Sequence, residues 1–152
     1  MNSNYGIQLI PLDMESAMLV RNWRNKEEVK SYMDFKGNIT EEMQKKWFKE
    51  INEKGDYYFI IEKDKTKIGL IHLNRFNVNK TTAYAGLFIG ESKFLGTGVT
   101  LAASILLLDF AFNDLKLEKV FAKVHPNNKS AIQYNESLGF QRFSIENKFQ
   151  FG

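Results

Sequence analysis

Two groups of residues in this chain have the types and spacing for chemistry. The first is a glycine-bearing loop, Lys93-Phe94-Leu95-Gly96-Thr97-Gly98-Val99-Thr100, which runs straight into the apolar stretch 101–112. Loop glycines let a backbone turn tightly and approach a ligand closely. The amides of a first helical turn then point at that ligand with the helix dipole behind them. Phosphate is the natural guest, although the same text also suits a plain strand-to-helix connection. It carries neither the Gly-Lys-Ser/Thr of a triphosphate-binding loop nor the third glycine of a dinucleotide fingerprint.

The second group is the pair of imidazoles, His72 and His125. Imidazole titrates near neutrality and suits a base or relay, whereas an unperturbed tyrosine, near 10, is a poor base at neutral pH. His72 alternates with Ile71 and Leu73 and so faces away from them; a solvent-facing or strand-pairing role stands beside the catalytic one. There is no cysteine, which removes disulfides, thiolate metal sites and a cysteine nucleophile. With His72 and His125 alone and no carboxylates at ligand spacing, no metal is expected.

These residues need a scaffold, and the text supplies one. Residues 5–10 alternate as a first strand ended by Pro11. Asp13 reads as an N-cap for a helix to about Asn22 with Met14, Met18 and Leu19 inward. Residues 26–33 form a short second helix, and Thr40 caps a third with Met43, Trp47 and Ile51 inward, ended by Gly55. Residues 57–62, 67–73 and 82–89 are three strand-like runs with short polar connections, hence an antiparallel meander. Then come the loop and a helix to about Leu115, a strand at 119–124, a turn at Pro126, a helix over 129–138 with Gly139 in the C-cap place, and a strand at 140–145. The closing text 148–151 is strand-like, and one further strand is expected after it. The order describes a mixed α+β domain spanning 1–152, with no repeat or linker to divide it.

Composition agrees with a soluble globular protein: 152 residues, 43% apolar and 26% charged, with a net charge of +3. That length suits one core. The basic residues are scattered, so nucleic acid is unsupported as a partner. No stretch suits a membrane span or a signal peptide, which makes a cytoplasmic location the expectation.

Four pieces in order, Trp23-Arg24-Asn25, Ile68-Gly69, Gly86-Leu87-Phe88-Ile89-Gly90, and Asn128-Lys129-Ser130-Ala131-Ile132 before Leu138-Gly139-Phe140, resemble the GNAT family of acetyl-CoA-dependent N-acetyltransferases over almost the whole chain. The resemblance implies a mixed, mostly antiparallel central sheet with helices on both faces, and acetyl-CoA as cosubstrate. Carried over by position, Leu87, Phe88 and Ile89 offer backbone groups to the pantetheine arm and acetyl carbonyl, a form of strand addition. Leu95, Gly96, Thr97, Gly98, Val99 and Thr100 wrap the pyrophosphate, and Asn128 contacts the arm. Two loop registers fit: Gly98 with Thr100 in the second glycine's place, or Gly96 with Gly98 led by Lys93.

The same resemblance implies direct attack by an amine in a ternary complex. Where many relatives carry a glutamate base this chain has Tyr84, leaving water or His72 to relay the proton. Where relatives place a tyrosine acid it has Asn135, with Tyr134 one residue earlier. Trp23, Arg24, Asn25 and Tyr84 fall on the acceptor side. Arg24 suits an acceptor's phosphate through its planar fork or serves as a structural pin. Among relatives the text is most similar to enzymes acetylating the 4-amino group of UDP-linked amino sugars, as in pseudaminic acid synthesis. Protein N-terminal acetyltransferases of the ribosomal type are the alternative, and a non-catalytic acyl-CoA-binding module is a third reading. A homodimer through a sheet edge or the last strands is also consistent with the family.

Overall fold

The computed structural model describes residues 6–31, 33, 35–123, 129–142 and 148–151. Its centre is a sheet ordered β1-β2-β3-β4-β5-β7-β6, with seven strands among the described residues. The strands are β1 (Ile7–Pro11), β2 (Tyr57–Lys63), β3 (Thr66–Asn74), β4 (Thr82–Ile89), β5 (Lys119–Lys123), β6 (Gln141–Arg142) and β7 (Lys148–Phe151). Every neighbouring pair is antiparallel except β4 with β5. The meander β2-β3-β4 follows from its short connections, and the single parallel pair follows from the long helical crossover between β4 and β5. The closing text expected to lead into a further strand is itself β7, inserted between β5 and β6.

The helices are α1 (Met14–Arg24), α2 (Glu27–Lys30), α3 (Glu41–Lys54), α4 (Val99–Asp109) and α5 (Lys129–Ser137). One face of the sheet packs on α4, through Leu9, Ile61, Ile71, Leu73 and Ala83 against Val99, Ala103 and Leu107. The other packs on α1, through Ile60 and Leu70 against Val20 and Trp23, with Trp47 of α3 at its border. Phe59, Ile60 and Ile61 are consecutive and all buried, because both faces of β2 are covered.

The caps expected from sequence hold. The Asp13 carboxylate accepts from the Ser16 amide at 2.8 Å, the Thr40 hydroxyl from the Met43 amide at 3.1 Å, and Gly55 and Gly139 take positive φ. The inward stripes hold in part: Ile51 is buried, and Leu19 and Trp47 pack against the α1-side core, but Met14 and Met43 do not turn inward. In α1 the buried residues are Ser16, Ala17, Val20 and Trp23, and Met14 is exposed. In α3 Gln44 is buried and Met43 exposed. The small residues let α3 come close enough for the Gln44 amide to donate to the Ala17 carbonyl at 2.7 Å, which turns both methionines to the rim. The second helix is also shorter than the sequence suggests. The long helix changes to a π turn at Phe110–Asp114, which sets the Phe110 ring edge-on to Tyr57 and Phe59 of β2.

Candidate active site

The loop after β4 has the form an anion needs. A single 3-10 turn, Ser92–Phe94, is followed by Gly96 and Gly98, both left-handed at φ 75° and 85°. Only glycine takes that region freely. A Cβ built at either position meets nothing within 4 Å, so the glycines answer to backbone conformation and the space above them is open. Gly98 caps α4 and offers no side-chain acceptor to the first-turn amides. Val99 is buried and anchors the helix start, while Leu95 is exposed. The Thr97 hydroxyl donates to the Phe94 carbonyl and closes the turn. Thr100 lies inside α4, so the two positions whose conformation requires glycine are Gly96 and Gly98.

Beside this loop β4 loses its neighbour. Among the described residues its pairing with β5 covers Thr82 to Ala85 against Lys119 to Ala122 and goes no further. From Gly86 to Ile89 the strand is held only by β3 among the described residues, leaving a backbone edge of the kind an extended arm can join. The side chains there are anchored: Ile89 and Leu87 in the α4-side core, and Phe88 edge-on to Trp23 at 6.3 Å.

Within the Trp23-Arg24-Asn25 motif, Trp23 braces this edge and Asn25 holds the Ile39 backbone. Trp23 is 1% exposed and lies over Gly90, where a Cβ would come within 2.1 Å of its ring. The Asn25 amide is consumed by the Ile39 backbone, donating to its carbonyl at 3.0 Å and accepting from its N–H at 2.8 Å. The next residue, Lys26, donates to the Gly90 carbonyl at 3.1 Å and pairs with Glu91 at 3.5 Å.

Arg24 is the member of the motif whose charge acts on Tyr58 and His72 of the sheet. Its Nε is buried without a hydrogen-bond partner, and among the described residues no carboxylate pairs with it. Burial depresses its pKa, the mark of a cation short of solvent and counter-charge. It faces a row of side chains on alternate positions of three strands. His72 of β3 is in register with Tyr58 of β2 and Gly86 of β4. The Tyr58 ring stacks on the imidazole at 4.8 Å and 19°. On the other side a Cβ at Gly86 would lie 2.6 Å from Cε1 and 2.9 Å from Nε2 of His72. The ring therefore rests on bare backbone at the open edge of β4. Asn74 donates to the Tyr58 hydroxyl at 3.0 Å and is in register with Tyr84, whose ring touches Phe121 and lies under the Arg75 guanidinium at 5.9 Å.

Burial, with the charges of Arg24 and then Arg75, pushes the His72 pKa down from 6.5 to about 4. Burial likewise raises that of Tyr58, so both rings are neutral at pH 7. Next to the row opens a cleft of about 580 Å³ lined by Trp47, Glu50, Lys54, Asp56, Arg75 and Lys80 among others. Trp47 is edge-on to Tyr58 at 5.1 Å. The structure thus brings His72, Tyr84 and Arg24 to one face beside the β4 edge. Tyr134 falls on α5, but its side chain and the whole of Asn128 lie outside the described residues. No group of metal-ligand residues occurs among those described.

Sequence reasoning missed Tyr58, Asn74 and Arg75 as site residues, and saw Gly86 as part of a motif without the ring it seats. Tyr58 sits in an unbroken aromatic run that reads as core, and Asn74-Arg75 reads as a turn. Arg75 has a left-handed backbone, φ 51°, unusual for a side chain of its size.

Comparison with known proteins agrees with this geometry. The family described as acetyltransferase (GNAT) domain matches residues 7–141. Spermidine N(1)-acetyltransferase of Escherichia coli is 28% identical over 141 residues, covering 92% of this chain and 75% of that protein. The spermidine N-acetyltransferase of Vibrio cholerae, solved with CoA and spermine, superposes with a TM-score of 0.83 at 19% identity, covering 97% of this chain and 93% of the other. An aminoglycoside acetyltransferase in complex with coenzyme A gives 0.81 at 14% identity, covering 94% and 91%.

Proposed function

The chain belongs to the GNAT acetyltransferase family and is an acetyl-CoA-dependent N-acetyltransferase, and from that premise we propose that its acceptor is a primary amine that brings its own negative charge. The chemical class that fits is the 4-amino group of a UDP-linked amino-dideoxy sugar. One observation carries this reading: the Arg24 guanidinium has a buried Nε with no hydrogen-bond partner among the described residues, and its charge acts on Tyr58 and His72. A half-buried cation of this kind is relieved by a phosphate, which its planar donors match. Arg75, Lys54 and Lys80 around the adjoining cleft extend the positive field along which a diphosphate can lie.

In this reading Gly96, Thr97, Gly98 and the first turn of α4, with Leu95, Val99 and Thr100, hold the pyrophosphate of coenzyme A. Leu87, Phe88 and Ile89 hold the pantetheine arm by backbone groups. The bound cosubstrate supplies a thioester carbonyl, and an amide of Phe88 or Ile89 is the donor available to its oxygen. His72 takes the ammonium proton, with Tyr84 beside it as a contact for the acceptor. Arg24 and Arg75 also favour the neutral, nucleophilic form of a nearby amine, since a second positive charge is costly there. Tyr134 and water are the proton sources for the departing thiolate. Function in the cytoplasm, as one domain or a homodimer, belongs to this same reading.

A polyamine acceptor is the second reading, favoured by the substrates named for the spermidine enzymes above. A polycation wants carboxylates, and Asp56 and Glu50 line the cleft. Burial raises the Asp56 pKa, against the pull of Lys54 and Lys80. The test is thiol release from acetyl-CoA with a UDP-4-amino sugar, spermidine and N-terminal peptides as acceptors. The nucleotide sugar is expected to turn over fastest. Release with spermidine alone overturns the anionic acceptor, and release with none overturns catalysis in favour of a binding module.

A further inference from the structure

We propose that Arg75 is a specificity-determining residue: its guanidinium takes a phosphate of the acceptor at the mouth of the cleft and so selects amines that carry an anionic group one sugar ring from the nitrogen. This deepens the anionic-acceptor reading and rests on it. Behind it is a reversal of faces where β3 ends. Leu73 is in register with Tyr57, and both pack on the α4 side. Asn74 points the other way, toward the Tyr58 hydroxyl. Strand alternation continued past Asn74 would carry residue 75 back to the α4 side and residue 76 to the chemical row. The structure has the opposite. Phe76 packs in the α4-side core, edge-on to Tyr57 at 5.9 Å, and the Arg75 guanidinium lies over the Tyr84 ring at 5.9 Å. Tyr84 is in register with Asn74, so its ring shares that residue's face.

The left-handed backbone of Arg75, φ 51°, makes this exchange. Asn and Gly take that region more readily than a long side chain does, so either would serve the turn. An arginine there adds a cation to the row. It is exposed, and among the described residues no carboxylate pairs with it. A cation–π contact at an exposed site is weak and leaves the planar donors of the guanidinium for a phosphate. Arg75 also lines the cleft, together with Tyr58 and Asn74 of the row. It therefore stands where an acceptor passes from the row into the cleft.

The spacing along β4 fits one class of acceptor. Tyr84, under Arg75, is two residues from Gly86, about 7 Å at the rise of a strand. Gly86 is the backbone against which His72 rests. An amine beside His72 and a phosphate on Arg75 are then separated by about one pyranose ring with its glycosidic oxygen. A 4-amino sugar joined to phosphate at its anomeric carbon has that span. A polyamine brings a second positive charge to the same place.

The experiment is steady-state thiol release from acetyl-CoA with a UDP-linked 4-amino sugar and with the same amino sugar lacking the nucleotide, in the wild type, Arg75→Asn and Arg75→Gly. Both replacements take the left-handed backbone readily, so both variants are expected to fold. The KM for the nucleotide sugar is expected to rise about tenfold or more with kcat within a factor of about two, the pattern of a lost binding contact. The free amino sugar is expected to react alike in all three proteins. An equal rise in KM for both acceptors makes Arg75 a structural residue and overturns the assignment, as does an unchanged KM in both variants. Either result leaves the anionic acceptor standing wherever the wild type prefers the nucleotide sugar. A wild type with no preference between the two acceptors overturns that reading and the role of Arg75 together.

Discussion

At Gly86 the site depends on an absent side chain. The imidazole of His72 occupies the volume a Cβ would need, and Tyr58 on its far side leaves nowhere to retreat. Gly86→Ala is therefore expected to lower kcat by about tenfold or more, the range for losing a positioned base, with acetyl-CoA affinity within a factor of about two of the wild type. Steady-state kinetics with a calorimetric binding constant separate the two, and an unchanged kcat removes His72 from the chemistry. Gly90 plays the same part for Trp23. Both glycines are visible in the sequence as a motif, but the rings they seat are remote in the chain. Only the strand register and the docking of α1 bring glycine and ring together. The same limit hides the packing of Trp23 and Asn25: nothing in the local text says that a tryptophan will wedge against a glycine or that an amide will clamp the Ile39 backbone.

Elements whose signals are local were legible in the sequence. Asp13, Thr40, Gly55 and Gly139 mark helix ends through hydrogen bonds or dihedral angles set within a few residues. The three meander strands were legible to within a residue, because alternation and turn residues are also local. Burial stripes were legible only in part: Leu19, Trp47 and Ile51 turn inward, but the contact of α1 with α3 chose Ser16 and Gln44 over Met14 and Met43. The loop after β4 is the element that tests the site most sharply. Gly98 needs φ 85° while the space around it is open, so Gly98→Val acts through the backbone. Its acetyl-CoA dissociation constant is expected to rise about tenfold or more by calorimetry, with the circular dichroism spectrum unchanged. Equal affinity in the variant would detach the pyrophosphate from this loop.

The whole molecule is a sheet clamped between two apolar layers, with a chemical row set into the face shared with α1 and α3. Burying a neutral imidazole there couples global stability to pH. The unfolded chain binds a proton near pH 6.5 that the folded chain refuses until about 4. This contribution is complete above pH 6.5 and is lost as the pH falls toward 4. Urea unfolding at pH 7 and pH 5 should show a loss of about 2 kcal/mol that is absent in His72→Gln. Asp56, whose pKa is raised by burial, works in the opposite direction in both proteins and drops out of the difference. Equal pH profiles for the two would mean that His72 titrates normally in the fold.

Most directly, the central claim is tested by the ratio of kcat/KM for a UDP-4-amino sugar to that for spermidine, measured in the wild type and in Arg24→Gln. The account predicts a ratio well above one that falls at least tenfold in the variant, through loss of activity on the nucleotide sugar alone. A wild type that prefers spermidine, with a variant that leaves the ratio unmoved or improves spermidine turnover, would contradict it.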